Sequence, residues 1–223
     1  MKPVIMRFNP RIDTHLFPSL IECYRDVFAD RPWNEWKKCP RCGIYWGLKD
    51  EPLLKTLGFL HCETPVIDFW ETHLVEEEVL LRVTESASGF VAVAPGENKV
   101  IGFTWGFPAT FDFIEADVKI PVCDPLRAHF GKVSEPVAFQ NEIGVANEFR
   151  RQGLAKEMFK LRLLDFLEKG MTHGVVRTRR FPEPSHTFTW FTRDYDYKII
   201  AAYPGDDGRV ILAQDLRVVR DLL

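Results

Sequence analysis

Apolar and polar positions along this chain follow two periods, and the switches between them mark its elements. Val4-Ile5-Met6-Arg7-Phe8 is a short strand-favouring run that Asn9-Pro10 closes. Leu16, Leu20, Tyr24 and Val27, with Ile21 and Phe28 beside them, recur at helical spacing. Asp13 or Thr14 stands where that helix needs a cap, and Pro18 falls in its first turn, where proline is tolerated. Residues 44–65, with Trp46, Pro52, Gly58 and Pro65, keep no single period and read as mixed loop and short helix. Val66, Phe69, Trp70, His73, Leu74, Leu80 and Leu81 then share one stripe, which predicts a helix opening at Pro65. In that helix Glu76-Glu77-Glu78 is a solvated face and His73 a packed core residue.

Farther on the period becomes two. Gly89–Ala94 and Lys99–Phe107 flank Pro95-Gly96-Glu97-Asn98 and form an antiparallel hairpin. Residues 108–134, with Phe111, Asp112, Phe113, Glu115, Asp117 and Cys123, show no clear period and read as a long loop. Glu142-Ile143-Gly144-Val145 is a strand, Asn147-Glu148 breaks it, and a helix runs from Gly153 to about Lys169 with Gly170 as its C-cap. Gly174–Arg179 is the next strand. Ser185 caps a short helix through Phe188, Trp190 and Phe191. Tyr195–Tyr203 and Arg209–Leu216 make a last hairpin across Gly205-Asp206-Asp207-Gly208.

The strand-turn-helix at 142–169 carries the clearest chemistry. A helix start leaves backbone N–H groups without intrahelical partners, and the positive end of the helix dipole lies there too. With Gly153 and Ala155 nearly free of side chain and Arg150-Arg151 beside them, this is a site for a diphosphate-bearing cofactor.

Composition narrows the class. At 46% hydrophobic and 27% charged the chain is ordinary for a globular protein, and 223 residues suffice for one large domain. A net charge of −3 without a long basic run argues against nucleic acid as a partner. The start lacks the apolar core of a signal peptide, and no apolar run reaches membrane-spanning length, so no membrane partner is expected. Five cysteines, an odd number without framework spacing, point to a reducing cytoplasm.

Arg150-x-x-Gly153-x-Ala155 after an apolar strand resembles the acyl-CoA loop of the GNAT N-acetyltransferase superfamily, whose pattern is Gln or Arg, two residues, Gly, one residue, then Gly or Ala. Ile101-Gly102-Phe103 resembles a strand common in that family, and Phe28 with Pro32-Trp33-Asn34-Glu35 resembles its first-helix end and acceptor-side turn. The resemblance covers nearly the whole chain except the cysteine-bearing segment at about 33–63 and the stretch at 108–134. It implies one α/β (α+β) domain over 1–223: a mixed, largely antiparallel central sheet flanked by helices, with the fourth and fifth strands splayed. The 108–134 stretch becomes an insertion near the acceptor side or a plain surface excursion.

The resemblance further implies acetyl-CoA as cosubstrate. Its pantetheine arm would run along Ile143, Gly144 and Val145, and its pyrophosphate would sit on the N–H groups of Arg151, Gln152, Gly153, Leu154, Ala155 and Lys156. Acetyl transfer to an amine needs a base, and Glu142, alternating with Ile143 on the cleft strand, is the candidate. The tyrosine that serves the leaving thiolate in much of the family falls here at Thr192 or Phe191, so Tyr195 is the substitute; Ser185 stands in for a missing asparagine. Acidic residues 112, 115 and 117 would favour a cationic amine. The implied activity is N-acetylation of a small-molecule or protein amine by direct attack, in a chain for which a homodimer stays open. The other reading is a non-catalytic acyl-CoA-binding or regulatory module.

Lys38-Cys39-Pro40-Arg41-Cys42-Gly43 is a Cys-x-x-Cys knuckle, in which two thiolates reach one zinc ion and the glycine turns the backbone beneath it. A closed site needs two more ligands, and Cys62, His61 and Cys23 are the candidates. Adjacent His61 and Cys62 would point opposite ways on a regular strand, so joint ligation requires an irregular backbone. A cysteine pair without metal is the alternative reading. A redox pair is disfavoured because no βαβ pattern surrounds it.

Overall fold

The structure is a computed structural model that describes residues 2–181, 184–205 and 208–223. Strand β1 (Val4–Arg7) is followed by helix α1 (Phe17–Ala29), entered through a 3₁₀ turn at Thr14–Leu16. A small module comes next: β2 (Lys37–Lys38), β3 (Tyr45–Trp46), α2 (Glu51–Thr56), β4 (Leu60–His61), β5 (Thr64–Pro65) and β6 (Ile67–Asp68). Helix α3 (Thr72–Arg82) leads into the hairpin β7 (Ser88–Val93) and β8 (Val100–Ala109), and helices α4 (Phe111–Val118) and α5 (Cys123–Phe130) follow. The remainder is β9 (Val137–Val145), α6 (Leu154–Glu168), β10 (His173–Arg179), α7 (His186–Asp194), β11 (Lys198–Ala202), β12 (Arg209–Asp215) and α8 (Leu216–Asp221).

Seven strands form one sheet in the order β1-β7-β8-β9-β10-β12-β11. Every neighbouring pair is antiparallel except β9 and β10. Helices cover both faces, which is why Val100–Phe107 on β8 is buried without alternation. On one face Leu20, Tyr24 and Phe28 of α1 and Val75 and Val79 of α3 pack on Phe103 and Trp105. Beside them Phe111, Ile114 and Leu126 of α4 and α5 pack on Phe107, Phe139 and Val175. The other face holds Phe159 and Phe166 of α6, Trp190 and Phe191 of α7, and Leu216 of α8.

The mixed sheet flanked by helices is as expected, and so are α1 with Pro18 in its first turn, the β7–β8 hairpin and α6. Ser185 does cap α7, accepting from Phe188 N at 3.0 Å. Of the last turn, Asp206 and Asp207 lie outside the described residues.

Four expectations change. Helix α3 starts at Thr72 and not at Pro65, because Ile67 and Asp68 pair with Lys38 and Lys37 of β2 and hold that stretch extended. Its buried stripe is Val75 and Val79, leading on to Val83, a strict i, i+4 series; Leu80 and Leu81 are 41% and 67% exposed, and His73 is exposed too. The 108–134 stretch is two helices and not a long loop. Thr110 caps α4 by accepting from Phe113 N, and the Glu115 carboxylate accepts from Val122 N and Cys123 N at the start of α5. At eight residues each, these helices are too short to print a period. Leu216 begins α8 under an Asp215 cap and does not extend β12.

Candidate functional site

The parallel pair β9–β10 is joined only at Ala138–Gln140 opposite Gly174–Val176, and beyond Gln140 the strands part. This is the expected splay. Its cause is a bulge. On the β8 side Trp105 opposes Glu142 and Phe107 opposes Phe139, so Gln140 and Asn141 together face Gly106. The extra residue reverses the alternation: Gln140 faces α6, whereas Glu142, two residues on, shares the face of α1 and α3. A side chain at Gly106 has no room, since a Cβ would lie 2.6 Å from Phe139 O.

A buried arginine that the sequence reading passed over holds the bulge. Arg162 of α6 is 1% exposed. Its Nη1 donates to Thr104 Oγ1 (2.6 Å), Glu142 O (2.8 Å) and Trp105 O (3.0 Å), and its Nη2 to Gln140 Oε1 (3.0 Å). Gln140 Nε2 in turn donates to Tyr197 OH at 2.6 Å. Burial lowers the Arg162 pKa to about 10, which leaves it charged at neutral pH. The signal for it is positional: Arg162 falls between Phe159 and Phe166 on the apolar stripe of α6, where a charge needs partners.

From the end of β9 the chain turns through Asn147–Phe149 into α6. Arg150 Nε donates to Val145 O at 3.0 Å and clamps this turn to the strand. Arg151 and Gly153 take positive φ, 63° and 82°, and Gly153 is the N-cap. Among the described residues the N–H groups from Arg151 to Lys156 have no backbone partner outside the helix, and the first helical bond is Glu157 N to Gly153 O. Arg151, Gln152, Gly153 and Lys156 are exposed, Ala155 half-buried and Leu154 buried beside Met158 and Val145. Lys156 Nζ also reaches Asp194 of α7 at 3.3 Å.

Gly144 has a packing reason of its own. A Cβ there would lie 2.6 Å from Phe103 and 2.7 Å from Val27. Ile143 is half-buried among the α6–α7 side chains. Ser185 is engaged three times, as the α7 cap and with Thr178 and Thr187 hydroxyls at 2.6 and 2.8 Å. Tyr195 closes α7, 4% exposed, its ring 5.1 Å from Phe159 and 5.4 Å from Trp190. Among the described residues four buried donors have no partner: Asn141 Nδ2, just past the last β9–β10 pair, Trp190 Nε1 on α7, Trp105 Nε1 on β8 and Arg162 Nε on α6. Free amides at the start of α6 and orphaned donors beside the parting strands fit a diphosphate followed by an amide-bearing arm.

The opposite wall is acidic and aromatic. Burial raises Glu142 to about 8; Arg177 of β10 opposes the shift, and Glu78 and Glu35 add to it. Burial likewise raises Glu35 to about 7, against the hydrogen bond it accepts from Trp70 Nε1 at 2.9 Å. Burial works against the charge of Arg177, yet Glu142 and Tyr203 hold its pKa above the ordinary value. Arg179 donates to Pro32 O at 2.8 Å and lies over the Trp33 ring. The acidic residues of the 108–134 stretch have internal partners instead: Asp117 pairs with Arg82, Glu115 caps α5, and Asp112 accepts from the Cys123 thiol.

The cysteine segment also converges. Potential ligand atoms of Cys39, Cys42, His61 and Cys62 all lie within 4.8 Å of one another, while Cys23 is buried on α1 in the main core. No helix among the described residues is long and apolar enough to cross a membrane.

No protein-family model and no curated protein matches the chain. Many solved structures do. One is PaiA N-acetyltransferase from Thermoplasma acidophilum in complex with coenzyme A, at 14% identity and TM-score 0.51 over 96% of this chain and 99% of that one. Another is a protein of the GNAT family from Desulfovibrio desulfuricans (13%, 0.53, 96% and 99%). A third is aminoglycoside 6'-acetyltransferase type Ii (12%, 0.53, 96% and 97%). The fold of this chain is the fold shared by these acetyltransferases.

Proposed function

We propose that this chain moves an acetyl group from acetyl-CoA to an amine. The single observation that carries the reading is the parting of β9 and β10 directly beside a row of unpartnered N–H groups at the start of α6, with Glu142 on the opposite wall. The diphosphate would rest on Arg151 to Lys156, the pantetheine arm along Ile143, Gly144 and Val145. Bound there, the cosubstrate supplies an activated thioester.

The chain's own residues would then do three things. Glu35 attracts an amine that arrives protonated, which favours a cationic acceptor, either a small molecule or a protein amine. Glu142 takes one proton from the ammonium, directly or through water, which frees the nitrogen lone pair; the neutral amine then attacks the thioester, the C–N bond forms as the C–S bond breaks, and the nitrogen's second proton goes to solvent. At about 8 its pKa suits that task near neutral pH. The departing thiolate takes a proton from Tyr195 or from water.

Release of free thiol from acetyl-CoA across a panel of amines tests the reading. Release with a cationic amine is the expected result; CoA binding without release for any amine overturns it. That second outcome is what a non-catalytic acyl-CoA-binding module gives, a reading favoured by the burial of Tyr195.

A further inference from the structure

Residues 33–70 form a satellite with very little core of its own. Apart from Cys39, its buried apolar residues are Trp46 and Leu54, with Trp36, Phe59, Cys62 and Val66 partly buried around them. Its strands are two residues long. A segment so built does not hold its shape by apolar burial alone, and small folds of this kind need a staple.

We propose that the staple is one zinc ion held by Cys39, Cys42, His61 and Cys62. The four residues come from two facing turns. The first is the Cys39–Cys42 knuckle between β2 and β3: Gly43 has φ 76° and its N–H donates to Cys39 O at 3.0 Å. The second is the turn between β4 and β5. There Cys62 and Glu63 both take positive φ, 51° and 61°, although neither is the glycine or asparagine such a turn favours. This irregular backbone is what lets His61 and Cys62, adjacent in sequence, aim at one point.

The geometry suits zinc. His61 Nδ1 lies 3.3 Å from Cys62 Sγ and 3.5 Å from Cys42 Sγ. Ligands at about 2.1–2.3 Å from a tetrahedral ion stand roughly 3.5–3.8 Å from each other, so the four atoms are nearly in place. Three thiolates and a neutral imidazole around Zn²⁺ leave one unit of negative charge. Arg41, whose Nη1 donates to Cys62 O at 3.2 Å, brings a compensating positive charge. The His61 ring stands edge-on to Trp46 at 5.1 Å, which fixes its orientation. Cys39 is buried and Cys42 exposed, giving a closed inner side and an entry side. Four protein ligands close the coordination sphere, so the role is structural.

What the ion would stabilise follows from the connections. Strand β2 pairs with both β3 and β6, so the two turns anchor the segment's ends, where Glu35 accepts from Trp70. Asp68 of β6 pairs with Lys37 and with Arg25 of α1, joining the module to the main domain. The ion would therefore hold Glu35 in the wall of the cleft.

The test is metal analysis of the full chain purified without chelator under reducing conditions. About one zinc per chain is expected. Cys42→Ser and Cys62→Ser should lose it, whereas Cys23→Ser and Cys123→Ser should keep it. If the ligand variants fail to fold, cobalt exchange into the unaltered protein serves: tetrahedral thiolate coordination gives strong visible absorption. Chelation should expose residues 33–70 to protease while CoA affinity at the α6 cradle persists, a readout independent of acyl transfer. Absence of zinc together with no uptake of zinc or cobalt by the reduced protein overturns the proposal, and so does a native disulfide between any two of these cysteines.

Discussion

The two walls of the cleft between β9 and β10 are made of different material. The α6 wall offers backbone N–H groups from six consecutive residues, positioned by one turn and two positive-φ residues. The facing wall offers side chains from separate segments: Glu35 before β2, Glu78 on α3, Glu142 on β9 and Arg177 on β10. A site made of backbone is specified by the local chain and tolerates most side-chain exchange. A site made of distant side chains exists only once the sheet has formed, and each member sets its neighbours' charge.

The sharpest break of that contrast is Gly153→Glu on the backbone wall. The variant needs φ near 82° and brings a carboxylate into the anion site, so CoA binding should vanish. Calorimetry measures it, and unchanged affinity in a folded variant rejects the cradle. On the side-chain wall, Glu142→Gln should lower kcat/KM by about 10²–10³ without changing CoA affinity. On the proposed mechanism the base acts deprotonated, and burial raises Glu142 to about 8, so acetyl transfer by the unaltered protein should speed up as pH rises through 8 and fall about tenfold per unit below it. An unchanged pH profile in the variant removes Glu142 from the chemistry.

Glu35→Gln should act more gently, raising KM for a cationic amine by roughly tenfold while kcat changes little. A neutral acceptor used equally well by both forms would confirm that the effect is charge; equal KM values for the cationic amine would dismiss Glu35 as a contact. Smallest is Ser185→Ala. Loss of the α7 cap should cost about 1 kcal/mol and lower Tm by about 2–4 °C. A fall in CoA affinity at unchanged stability would instead assign Ser185 to the cofactor.

Much of this was legible along the chain. The turn into α6 follows from Gly153 and the change of period around it, and the splay followed from the resemblance that this turn anchors. Other features were hidden for identifiable reasons. In α3 the apolar pattern points to the wrong face because Leu80 and Leu81 are more hydrophobic than the Val75 and Val79 that are buried; periodicity gives a phase only when the core face is the greasier one. Helices α4 and α5 are too short for a period. Arg162 stands on the apolar stripe of α6, but its partners are invisible locally: only the carbonyls of Trp105 and Glu142 at the β8–β9 bulge show what satisfies it in the core.

The sequence by itself determined most strands and helices of the main sheet, the glycine-opened start of α6 and the knuckle at Cys39 and Cys42, because each depends on residues within a few positions of one another. Tertiary structure decided the rest. It brought His61 and Cys62 to that knuckle through two positive-φ residues. It placed Glu35 and Glu142 on one wall and raised both by burial. Desolvation and proximity between distant segments are properties of the folded chain, and no local pattern encodes them.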